Sequence, residues 1–190
     1  MTQAASGLTN FVVDSQASLF TVQALASGIV AVVAHSPKFA MRDIVGEARF
    51  IPGMLQNASL RMTINVASLE IMDEVSKMDR REIERVMFDE VLEKNSYPKI
   101  EYKSSRATAA KTAENTFRVN IAGDLTLHGT TRGMGVEAQV VAGEDTLRAQ
   151  GAFTLLQSDF GLRIASVAGG TLKLQDELKF SFFILCRRHD

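Results

Sequence analysis

From Phe117 to His128 the chain alternates strictly. Phe117, Val119, Ile121, Gly123, Leu125 and Leu127 fall on one side, and Arg118, Asn120, Ala122, Asp124, Thr126 and His128 on the other. Successive side chains of a strand point to opposite faces, so this segment is a strand with one apolar and one wet face. The same period runs through Ile44–Phe50, Leu60–Val66, Met134–Val140 and Leu147–Leu155. Further strands are predicted at Leu19–Ala24, Ile29–Val33, Lys99–Ser104 and Leu178–Cys186, the last with Phe180, Phe182 and Ile184 on one face. One-sided apolar strands are the mark of antiparallel sheet, and many of them in succession point to a sandwich or a barrel. Gly46, Gly123 and Gly151 sit inside strands, where glycine marks the bend that lets a sheet close on itself. Gly129, Gly133 and Gly135 are read as turn glycines. The fold expected is mainly β: a closed antiparallel barrel of about eight strands.

One segment has a different period. In Ser76–Lys94, Ile83, Met87 and Val91 recur every four residues with Phe88 and Leu92 beside them, while Arg80, Arg81, Glu82, Glu84 and Arg85 populate the other side. This predicts one amphipathic helix of four to five turns, opened by Ser76 with Asp79 at capping-box spacing and followed at Pro98 by a return to extended chain. A barrel leaves its ends open, and an amphipathic stripe must be buried somewhere. The helix is therefore expected over the barrel mouth or flank, with Ile83, Met87, Phe88 and Val91 turned inward and Met87 and Phe88 bordering any cavity.

Length and charge narrow the classes. The 190 residues fit one domain over 1–190, with Pro37, Pro52 and Pro98 as the only prolines and no linker-like stretch. Lys and Arg number 21 against 22 Asp and Glu, a formal charge of -1. That balance excludes the clustered excess of cations that nucleic-acid binding requires. No run approaches the length of a membrane-spanning helix. The N-terminal residues lack a basic region followed by an apolar one, so a cytoplasmic location is expected, or a periplasmic one if a presequence has been removed.

The chain offers little that could carry a reaction. Cys186 is alone, and no histidine pair, zinc spacing, nucleophile elbow or phosphate-cradling loop is present. His128 is read as a solvent-facing residue at a strand end, and His189 as a frayed penultimate one. His35, between an apolar run and the Ser36-Pro37 turn, is the histidine singled out as a candidate contact. Catalysis by His35 would need a carboxylate or Cys186 in the same pocket. No enzyme, metal or cofactor is expected.

A barrel of about eight strands is either filled by its side chains or just able to hold one small ligand. The inward set would be Phe20, Val22, Phe50, Met62, Ile64, Tyr102, Phe117, Ile121, Val136, Phe153, Phe180 and Phe182. On pattern alone both outcomes stay open: a hollow barrel, or a solid one serving as a protein-interaction module.

Four segments in order resemble the YceI-like family: Gly123-Asp124-Leu125-Thr126-Leu127-His128-Gly129-Thr130-Thr131-Arg132, Tyr97-Pro98-Lys99-Ile100-Glu101-Tyr102-Lys103-Ser104, Ser158-Asp159-Phe160-Gly161-Leu162 and Ala67-Ser68-Leu69-Glu70. The likeness runs over roughly residues 11–186. It implies a lipocalin-like, eight-stranded antiparallel barrel holding an elongated apolar ligand, a polyisoprenoid or related lipid, as a carrier or storage protein. The expected ligand-binding set is the inward residues together with Met87, Phe88, Phe160 and His35. The chain departs from the family pattern at Ala17, where histidine is usual, and in the charged helix around Asp79–Leu92. The partner expected is a hydrophobic small molecule. Sheet edges left free by imperfect closure would pair two copies into a homodimer.

Overall fold

The computed structural model describes residues 7–27, 36–51, 54–167 and 172–189. Its elements in chain order are β1 (Thr9–Val13), β2 (Leu19–Ser27), β3 (Lys38–Met41), β4 (Ile44–Ile51), β5 (Met54–Asn65), β6 (Leu69–Ile71), α1 (Lys77–Arg85), β7 (Lys99–Ala113), β8 (Thr116–Leu127), β9 (Thr130–Ala142), β10 (Thr146–Leu156), β11 (Ser166–Val167) and β12 (Leu172–His189). The strand expected at Ile29–Val33 lies outside the described residues.

Eight strands close an antiparallel ring in the order β1-β4-β5-β7-β8-β9-β10-β12, with β12 pairing back to β1. The closure works because β12 is long. Its C-terminal residues 186–189 pair with β1, and residues further back pair with β2, which carries β3 and β6 beyond it as a side sheet. Between β1 and β2 the chain makes a short 3-10 turn, capped by the Asp14 carboxylate on the Ala17 N–H. Arg187 Nε donates to Asp14 at 2.7 Å, and the Ser18 hydroxyl bridges Asp14 O and the Leu185 N–H, so this corner is tied to β12. The guanidinium holds the Asp14 carboxyl below its usual range.

β7 runs to Ala113, well past the expected end at Ser104. The register slips between Ser104 and Arg106, which leaves Ser105 as an extra residue. A bulge of this kind switches the inward positions from even (Ile100, Tyr102) to odd (Ala107, Ala109). The alternation that signals a strand is therefore lost from the sequence at that point. Gly129 is a turn residue with φ +70 and follows His128 at φ +51, as a two-residue hairpin requires. Gly133 and Gly135, expected in turns, lie instead in the middle of β9 with open space where a Cβ would be.

The helix forms where the period predicts, opened by Ser76, whose hydroxyl oxygen accepts from the Asp79 N–H at 3.1 Å and whose O–H donates to the Asp79 carboxylate at 2.7 Å. From Val86 to Val91 it widens into a π-helix, closed by the Leu92 N–H on Met87 O. Two outer ties hold its far end. Glu90 pairs with Arg85 and with Arg163 at 2.7 and 2.8 Å, and Glu93 meets His128 at 2.8 Å. At its start, Arg80 donates to Ile71 O and Asp73 O, so the helix is pinned along its length to the side sheet and the connecting loops.

Candidate functional site

The inward faces do not fill the barrel. They enclose a cavity of about 360 Å³. Strands β8 and β9 line it with Val119, Ile121, Leu125 and Leu127 and with Met134, Val136, Ala138 and Val140; β10 and β12 add Phe153, Phe180 and Phe182. Four of the odd positions of β8 that alternate in the sequence, Val119, Ile121, Leu125 and Leu127, are thus cavity wall. Helix residues Ile83, Val86, Met87, Val91 and Leu92 close it from one end.

Of the sequence-predicted set, Phe20, Val22, Phe50, Met62, Ile64, Met87, Tyr102, Ile121, Val136, Phe153, Phe180 and Phe182 all line this cavity. Phe88, Phe117 and Phe160 do not. The widened helix turn points Met87 at the cavity and leaves Phe88 packed against the core from outside, with Lys94 Nζ 4.5 Å from its ring centroid. Phe117 has the inward parity and packs against the core beside the β7–β8 turn, next to the cavity-lining Val140, but is not itself part of the lining. Phe160 is buried, 3% exposed, inside the 3-10 turn Gln157–Phe160. His35 lies outside the described residues. The pattern missed Leu55 on β5 and Phe39 and Met41 on β3. The last two carry a signal in the short alternation Lys38-Phe39-Ala40-Met41.

The wall's polar groups are few, and most are already engaged. The Tyr102 hydroxyl lies 3.2 Å from both Ile121 O and Met134 O, and burial together with the nearby Asp124 charge pushes it up to about 12. Gln157 donates to Gln175 O at 2.8 Å, and Asp73 accepts the Lys38 N–H at 2.7 Å. The Cys186 thiol, 3% exposed and on the wall, is pushed up to about 12 by burial, so it is a neutral apolar surface rather than a thiolate. Such a space takes apolar matter by burial and shape and holds no buried charge.

The shared motifs sit in the framework around this cavity. The Tyr97 ring packs on His128, with centroids 4.4 Å apart. The side chain of His128 is only 14% exposed, which corrects the expectation of a solvent-facing residue. Arg132 Nε donates to Asp159 O at 3.0 Å, and Ser158 binds the Asp176 carboxylate through both its N–H and its hydroxyl. Asn65 and Ser68 cap the turn that leads into β6. Among the described residues no group of histidine, cysteine, aspartate and glutamate could hold a metal ion, and no helix is long and apolar enough to cross a membrane.

The model of the YceI-like domain matches residues 11–184. No curated protein matches the chain. Among solved structures, Burkholderia cenocepacia BcnA is 21% identical with a TM-score of 0.68, covering 91% of this chain and 98% of that one. A polyisoprenoid binding domain from Saccharophagus degradans, implicated in plant cell wall breakdown, is 12% identical with a TM-score of 0.60, covering 93% and 97%. The Campylobacter jejuni YCEI protein is 16% identical with a TM-score of 0.62, covering 83% and 88%. At these identities the likeness is one of fold.

Proposed function

The chain belongs to the YceI-like domain family, and from that premise we propose that its barrel binds an elongated apolar molecule, a polyisoprenoid or other lipid-like chain, as a carrier or store and without catalysis. The observation that carries the reading is the cavity itself. Its volume of about 360 Å³ lies within the range of small-molecule sites, and its wall is predominantly aliphatic and aromatic. The structural similarity to a domain described as polyisoprenoid binding supports the choice of ligand class. A solid barrel serving only as an interaction module is disfavoured by that same empty volume. The test is mass spectrometry of organic extracts from the purified protein. A stoichiometric isoprenoid or other lipid supports the reading; extracts free of any such molecule, from protein that also takes up none when offered, reject it.

A further inference from the structure

The pinned helix stoppers one end of the barrel, but the wall has a second weak place. β9 and β10 pair only from Leu147–Ala142 to Gln150–Gln139. Past that point β9 goes on to Thr130 on one side and β10 to Leu156 on the other, and no ladder joins them. They are still close at Gly151, where a Cβ would stand 2.5 Å from Glu137 O, and beyond it the next tie is Arg132, whose Nε reaches Asp159 O in the turn after β10. Two strands that run side by side without exchanging hydrogen bonds leave a slit between their unpaired edges.

Met134, Val136 and Phe153 are the cavity-lining residues that border this slit. Gly133 and Gly135 leave the outer lip of β9 bare. Phe182 lines the cavity and also a groove on the outer surface, whose other walls include Gln139, Gln150 and Ala152. It can do both because Gly151 has no side chain: a Cβ there would stand 2.7 Å from Phe182 Cζ. The ring is therefore the partition between inside and outside at the head of the slit.

We propose that the β9–β10 slit is a lateral portal, gated by Phe182, through which an apolar chain enters and leaves the cavity while its polar end rests in the outer groove. This rests on the apolar-ligand reading and adds a route and a second subsite to it. The groove suits a hydrogen-bonding, uncharged head such as an alcohol. The Gln150 side-chain amide donates to that of Gln139 at 2.9 Å, leaving further amide donor and acceptor capacity at the surface, and the neighbouring Glu137 carboxylate is balanced by Arg118 at 3.9 Å, so the groove offers no net charge to an ionic head.

Stopped-flow release of the uncharged probe N-phenyl-1-naphthylamine, chased with excess farnesol, tests the portal. Phe182→Ala should speed release by about tenfold, and Ala152→Trp, which fills the outer groove from an exposed position, should slow it by a similar factor without lowering the melting temperature. Glu90→Gln combined with Glu93→Gln, which weakens the ties of the far end of the helix to Arg163 and His128, should leave the rate unchanged. If the Glu90→Gln, Glu93→Gln double variant speeds release while Ala152→Trp has no effect, the route runs under the helix and the portal is wrong. If the wild-type protein binds neither probe nor farnesol, the apolar-ligand reading itself fails, and the portal with it.

Discussion

The Tyr102 ring lies over the backbone of Gly123, its neighbour one strand away: a Cβ added to Gly123 would stand 2.9 Å from Tyr102 Cζ and 2.8 Å from Ser104 Cα. The ring occupies the space that a side chain on β8 would need, and its hydroxyl crosses to carbonyls on β8 and β9. The same device recurs where Phe182 covers Gly151. In both places an aromatic ring on one strand covers a glycine on the next, which lets the sheet bend into a barrel while the inner wall stays apolar.

Replacing Gly123 by alanine should therefore destabilise the fold by about 1–3 kcal/mol, the usual cost of overpacking, because the nearest atoms include backbone that cannot step aside. Urea denaturation with an unchanged slope is the measurement. Tyr102→Phe should cost only about 1 kcal/mol, the net value of a hydrogen bond exchanged for none.

Cys186 gives a pH signature. Its thiol is held protonated in the folded barrel up to about 12, against an ordinary value of 9.0. Between those two pH values the unfolded chain loses the proton and the folded one keeps it, so stability must fall as pH rises from about 9 toward 12 and be unaffected by this group below 9. Cys186→Val should flatten that part of the stability profile. Iodoacetamide at pH 8 should label the native protein far more slowly than the denatured one.

Met87 reaches the cavity from the pinned helix. Met87→Ala should cost about 2–5 kcal/mol if the site cannot collapse, and should enlarge the cavity at the helix end. The Arg163 tie to Glu90 is exposed, so Arg163→Ala should change global stability by no more than about 1 kcal/mol. Hydrogen exchange should show the effect locally, as faster exchange in Lys77–Leu92 with the barrel strands unaffected.

The barrel was legible wherever a strand kept its parity. β8, β9 and β10 announce themselves through Phe117–Leu127, Met134–Val140 and Leu147–Leu155. The second half of β7 did not, because the extra residue at Ser105 reverses the inward parity and leaves a stretch of alanine, threonine and lysine with no apolar period. Parity fixes which way a side chain points but not whether its ring borders open space or packs into the core, and Phe117, inward by parity, does the latter. The hollow centre was not legible at all. A packed interior and an empty one ask for the same alternation, and only the sizes and tilts of facing residues around the ring decide between them. The departure of β9 from β10 is likewise hidden, since both strands keep a regular alternation through the slit and Gly133 and Gly135 read as turn residues.

The central claim is that the barrel interior is a site for an apolar chain. Isothermal titration of farnesol, over a range of temperatures, tests it most directly. One molecule should bind per chain with a negative heat-capacity change, the mark of apolar burial, and binding should be lost in Ala149→Trp, which projects an indole from the cavity wall into the space the ligand would fill. Farnesol binding that is undiminished in Ala149→Trp would place the ligand elsewhere on the protein, and no binding to the wild-type chain would contradict the claim outright.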